Sequence, residues 1–174
     1  MKGNTQRYFV PLIAAFILLI DQGTKAIAQR SLIAPDGSFI EKRIVGSALT
    51  LHLAYNSGAA FSLATNQTIL LSLFSLLVAL LIVKRSRSFT SLAWKFGAAL
   101  IIGGIAGNIS DRAFRAPRLL RGEVVDWIHL AHWPTFNLAD SSIVTRAALV
   151  VALIARGVPS GGSHQGTSGE SNHE

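Results

Sequence analysis

Two carboxylates stand fourteen positions apart in VVDWIHLAHWPTFNLADSSIV, at Asp126 and Asp140. Asp126 sits in an apolar-flanked run, VVDWI. Asp140 sits just inside a long apolar segment that continues to Ala155. A carboxylate at a membrane boundary is costly unless it has a partner or a task. Two carboxyls in a water-poor pocket cannot easily both ionise, so one proton tends to be shared. The charged member can then draw a proton from water while the protonated member polarises a carbonyl. That is aspartyl-protease chemistry. The competing reading is a pair of helix-capping acids, and the residues alone leave both open.

Further polar residues lie near this pair in the pattern. Asn137 is three positions before Asp140, so the two share a helix face. In GGIAGNISDRAFR, Asn108, Asp111, Arg112 and Arg115 continue along one helical side. Asn108 and Asp111 either orient the carboxylates or cap and anchor a helix end. Asp21 and Lys25 are spaced i,i+4; they read as a structural ion pair supporting a site, or as an interfacial pair ending a helix. His52, His129 and His132 lack an HExxH context, so surface histidines are expected rather than a zinc site. Ser57, Ser62, Ser141 and Ser142 lack a GxSxG setting. Cysteine is absent, which removes thiol nucleophiles, disulfides and Cys-based metal sites.

The elements that must position these residues are membrane spans. Half of the 174 residues are hydrophobic and 14% are charged, against about a quarter charged in soluble domains. Mean hydropathy is +0.44. The net charge of +7 sits between and at the ends of apolar blocks. That placement suits anionic lipid headgroups and not nucleic acid. Four segments can cross a bilayer: 9–28, 68–83, 92–109 and 136–155. The first resembles a signal peptide but is followed by Asp21, Gln22 and Lys25 in place of a small-x-small site, so it is expected to stay as a span. Four crossings put residues 29–67 and 110–135 on one face, and both termini and the link 84–91 on the other. Topology alone therefore gathers Asp21, Asn108, Asp111, Asn137 and Asp140 at one membrane face.

The first long loop has its own pattern. LTLHLAYN (49–56) alternates like a half-buried strand, with partner strands expected at Phe39-Ile40 and Ile44-Val45 and a turn at Asn56-Ser57-Gly58. A small antiparallel sheet in this loop, within about 36–62, is expected on the membrane surface, with AAFSLA (59–64) dipping toward the interface. Residues 1–158 read as one membrane domain, and the polar, Gly/Ser-rich stretch 159–174 as a disordered tail. Basic residues near the two faces are almost equal in number; the KRSR link and the first segment's flank favour a cytoplasmic N-terminus. Arg146 falls deep in the fourth segment with no evident local partner.

The blocks DQGTK (21–25), NSGAAFS (56–62), GNISDR (107–112), VVDWI (124–128) and FNLADSSI (136–143) occur in the order, and at about the spacing, of the lipoprotein signal peptidase family, signal peptidase II. With the four-segment layout the resemblance reaches to about residue 156. It implies a monomeric bacterial inner-membrane aspartyl endopeptidase with four helices and a small periplasmic sheet. It also implies cytoplasmic termini, no cofactor or metal, and sensitivity to the antibiotic globomycin. The implied substrates are prolipoproteins, cut before their lipid-modified cysteine at the bilayer. The catalytic dyad falls on Asp126 and Asp140. Asn56, Gly58, Asn108, Asp111, Arg112 and Asn137 match positions lining the site, with Asp21 and Lys25 in structural support. Trp127 stands where the family often has Phe, and Arg146 where small or apolar residues are usual. The rival class is a small non-enzymatic transporter or ion-binding protein, which predicts polar residues along a path through the membrane. Here they cluster at one face.

Overall fold

A computed structural model describes residues 5–58, 66–117 and 120–161. Among these, four helices are long and apolar enough to cross a bilayer: α1 (Thr5–Ser31), α2 (Asn66–Ser86), α3 (Leu92–Phe114) and α4 (Leu138–Ala155). In hydrocarbon every backbone polar group must be satisfied within the segment, so apolar runs of this length become helices. Two of them outlast their apolar stretch. α1 continues past 28 to Ser31 and α3 past 109 to Phe114. In the α3 extension Asp111 is neutralised by Lys25 of α1 and by Arg115, so its charge does not end the helix. The stretch AAFSLA, Ser62, Arg118 and most of the polar tail lie outside the described residues. Ser160 is within them, and its carbonyl accepts the Thr90 N–H at 3.1 Å.

α3 is the central helix. It packs on α1, α2 and α4. Small residues make that approach possible. A Cβ on Gly103 would stand 2.7 Å from the Ile17 Cβ and 2.8 Å from the Ala14 carbonyl oxygen, both on α1. One on Gly104 would stand 2.6 Å from the Ala139 carbonyl oxygen of α4. α2 lies at the edge, with Leu70, Leu73, Phe74, Leu77 and Leu80 exposed along it, an apolar surface suited to lipid.

A three-stranded antiparallel sheet caps the bundle, in the order β1 (Lys42–Val45), β2 (Leu49–Asn56), β3 (Val124–Leu130). β2 is the strand read from LTLHLAYN, and β1 includes the predicted Ile44-Val45. The rest of the sheet corrects the sequence reading. Phe39 forms only an isolated bridge to Ile33. The third strand comes from the second loop, so the sheet is not confined to the first one. VVDWIHL is rich in β-branched and aromatic residues, which pack well on a pleated surface. Its pairing sets Asp126 opposite Ala54 and Val124 opposite Asn56. Ala28 and Leu32 at the end of α1 pack with Leu53 and Val125, fastening sheet to bundle.

Arg146 finds its neighbours on α3. Its guanidinium carbon stands 5.2 Å from the centroid of the Trp94 ring, and the side chain packs against Gly97. Gly97 and Trp94 precede the α3 residues that face Asp140, so the arginine reaches toward the opposite membrane face from the carboxylates. A long cationic stem over an aromatic face is a recognised way to hold charge in hydrocarbon.

Gly103→Ala must push α1 and α3 apart, because one of its contacts is backbone. A loss of about 1–3 kcal/mol is expected for such overpacking, read as a lower unfolding midpoint in detergent. An unchanged midpoint would show that this crossing is not tight.

Candidate active site

The site is assembled from five elements, and its foundation is an ion cluster. Lys25 of α1 and Asp21 one turn earlier are both 0% exposed. The Lys25 Nζ stands 2.8 Å from Asp21 Oδ2 and 2.7 Å from Asp111 Oδ2 of α3. Asp111 Oδ1 also pairs with Arg115 at 2.7 Å. Two acids and two bases thus close a neutral set, which removing a single member would break. The cluster reaches outward from there. Asp21 Oδ1 accepts the Ala139 N–H at the start of α4, and Asp111 Oδ2 accepts the Val125 N–H of β3. Gln22 donates to the Gly107 carbonyl and to Asp111 Oδ1, both at 3.1 Å. The interfacial pair that ends a helix is therefore ruled out for Asp21 and Lys25: they are buried, and α1 runs on beyond them.

Above this foundation three carboxamides orient the two carboxylates. Lys25 donates its third hydrogen bond to Asn108 Oδ1 at 3.1 Å, which fixes the Asn108 amide hydrogens toward Asp140 Oδ1 at 2.8 Å. Asn137 caps α4: its Oδ1 accepts the Asp140 N–H, and the Asp140 carboxylate accepts the Asn137 N–H in return, a reciprocal capping box. The Asn137 amide hydrogens remain, and they go to Asn108 Oδ1 at 3.1 Å and Asp126 Oδ1 at 2.7 Å. Asn56, at the end of β2, accepts the Gly58 N–H and donates to Asp126 Oδ2 at 3.0 Å. Gly58 has a φ of +82°, and a Cβ there would stand 3.3 Å from the Arg112 guanidinium. Arg112 donates to the Ser57 carbonyl and lies within electrostatic range of Asp126, Asp140 and Asp111.

Asn137 and Asp140 cap α4, and the same two side chains also join the network around the carboxylates. Asn108 touches a carboxylate directly; Asp111 touches neither and acts through Lys25 and the β3 backbone. Gln22 was not singled out in the sequence, though its place beside Asp21 on a helix aimed at the polar face was the available signal. The histidines stand apart. His52 and His129 are half-buried, lie with ring centroids 5.0 Å apart in a tilted arrangement and flank Thr135, so they are not simple surface groups, whereas His132 is exposed. No group of three or more metal-ligating side chains occurs among the described residues.

The two acids have different surroundings. Asp126 is 2% exposed, while Asp140 is half-buried. Burial pushes the Asp126 carboxyl up to about 6; the Asn56 hydrogen bond opposes this, and the Asp140 charge adds to it.

Fold and site define a multi-pass membrane protein with a paired-carboxylate centre at one membrane face. Residues 13–156 match the family model for signal peptidase (SPase) II. A lipoprotein signal peptidase of Rhodococcus jostii is 37% identical over 163 residues, covering 94% of this chain and 80% of the relative. Its counterpart in Mycolicibacterium smegmatis is 45% identical over 141 residues, covering 81% and 58%. That of Mycobacterium tuberculosis (strain H37Rv) is 43% identical over 141 residues, covering 81% and 68%. A bacterial membrane enzyme solved by the in meso method at 1.9 Å superposes with a TM-score of 0.70 at 25% identity, covering 83% of this chain and 91% of that one. The chain belongs to the signal peptidase II family, and it is an aspartyl endopeptidase of the membrane.

Lys25→Met leaves Asp21 and Asp111 buried beside an apolar side chain. A loss of about 3–5 kcal/mol is expected, measured by chemical or thermal unfolding in detergent. Adding Asp21→Asn to it should recover part of the loss. Equal stability of Lys25→Met and the parent would remove the cluster from its foundational place.

Proposed function

We propose that Asp126 and Asp140 are the catalytic dyad, and that the substrates are prolipoproteins cut on the N-terminal side of a diacylglyceryl-modified cysteine. The observation that carries this is Asn137: one side chain holds Asp126 and caps the helix that presents Asp140. An ion-binding or transport role for the acids gains no support, since the polar network stays at one face and the only polar residues of α2 between Thr68 and Lys84 are Ser72 and Ser75. The substrate class rests on the relatives' name, lipoprotein signal peptidase. The basic link Lys84, Arg85 and Arg87 supports cytoplasmic termini and a periplasmic site by the positive-inside rule. The exposed leucines of α2 suit the acyl chains of substrate and membrane lipids, and a monomer suffices, because one chain supplies the whole network.

Asp126 holds the proton and Asp140 is the base. The scissile carbonyl lies between them. Asp140 takes a proton from water as its oxygen attacks the carbonyl carbon, and Asp126 protonates the carbonyl oxygen. Asp140 then returns its proton to the leaving nitrogen, and Asp126 recovers its own as the carbonyl re-forms. Asn108 and Asn137 keep both acids aimed throughout. Arg112 balances the charge of the pair and holds the loop at Ser57 and Gly58. No metal or organic cofactor takes part.

Asp126→Asn and Asp140→Asn, purified in detergent and given a lipidated prolipoprotein, should each lose about 10²–10⁴-fold or more in rate. Full cleavage by either variant overturns the dyad. The proton assignment has its own check. If Asp126 must be protonated, kcat/KM falls as pH rises through about 6. Asn56→Ala removes the hydrogen bond that most strongly opposes protonation, so this limb should move to higher pH. A rate that climbs across the same range would give Asp126 the base role instead.

A further inference from the structure

On the face opposite the carboxylates, a cavity of about 700 Å³ opens among the start of α1, the end of α2 and the start of α3. Both α1 and α2 pack on α3 but share next to no contact with each other, so α3 forms the floor of a cleft between them. Each wall follows one order. Arg7 lies at the rim of α1, with Val10 one turn further in; Arg87 lies at the rim of α2, with Val83 one turn further in. On the floor, Lys95 is only 9% exposed, and Ile102 lies about 10 Å deeper along the helix. Among the described residues, no Asp or Glu lines the cleft.

Two exposed arginines above an apolar slot match a ligand with a phosphate at one end and hydrocarbon at the other. A free anion has no use for the slot. A zwitterionic head would bring an ammonium into a field that is already positive. We propose that this cleft binds one anionic glycerophospholipid, with its phosphodiester between Arg7 and Arg87 and an acyl chain along Val10, Val83 and Ile102. Basic pockets between transmembrane helices bind such heads elsewhere. The site is separate from the carboxylate network, so it stands or falls independently of the cleavage reaction.

The test is native mass spectrometry of the full chain in neutral detergent, titrated with phosphatidylglycerol, phosphatidylethanolamine or inorganic phosphate. Phosphatidylglycerol should be retained preferentially. Arg7→Gln with Arg87→Gln should weaken it about 30-fold, while Lys42→Gln with Arg43→Gln on the exposed strand β1 should not. Both arginines are solvent-exposed, so the paired variant is expected to fold; should it not, a larger rise in unfolding temperature of the parent chain with phosphatidylglycerol than with phosphatidylethanolamine supports the site. Equal retention of the two lipids, equal weakening by the β1 variant, or displacement of the lipid by equimolar phosphate would overturn it.

Discussion

A lysine held between two aspartates is the interaction on which the rest of the structure depends. Lys25 satisfies Asp21 and Asp111, and its remaining hydrogen bond sets which way the Asn108 amide turns. Asn108 and Asn137 are thereby oriented as donors to the two carboxylates. Buried ion pairs are weak evidence of stability, because desolvation offsets much of the attraction. Their value here is directional. A hydrophobic replacement of the same volume would fill the space but would leave the Asn108 amide free to choose its orientation.

The bilayer explains why this network sits where it does. Polar groups are tolerated in a span when they face a partner or a watery boundary. α3 meets this condition by changing character along its length. Its first half is small and apolar, with Gly103 and Gly104 allowing α1 and α4 to approach. Its last turns carry Asn108, Asp111, Arg112 and Arg115, each matched by groups from α1, α4 or the loop before α2. Close packing in the apolar half brings the polar halves into register. Arg146 obeys the same rule from the other direction, with its charge led away from the carboxylates and onto Trp94.

Much of this was legible in the sequence because it follows from counting. Four apolar segments fix which ends share a face, and that alone brings Asp21, Asn108, Asp111, Asn137 and Asp140 together. Helical spacing found the Asp21–Lys25 and Asn137–Asp140 pairs. Spacing cannot name partners on other helices, so it found one acid for Lys25 and missed Asp111, and it searched α4 for a partner to Arg146 that lies on α3. The third strand was hidden for a similar reason. VVDWIHL has the composition of a strand, but its partner, β2, lies in another loop, and no local pattern announces a pairing across that distance. The result was a sheet assigned to one loop when two build it.

The two carboxylates belong to different kinds of structure. Asp126 rides on a strand of the surface sheet, and Asp140 on a helix of the bundle. Their separation is therefore a measure of how the sheet is docked. What fastens it is modest: Ala28 and Leu32 against Leu53 and Val125, the Asn137 amide, and one backbone hydrogen bond to Asp111. A sheet lifted by a few ångströms would leave every helix intact and the pair dismantled. The pair therefore depends on how the sheet is docked as much as on the integrity of any single helix.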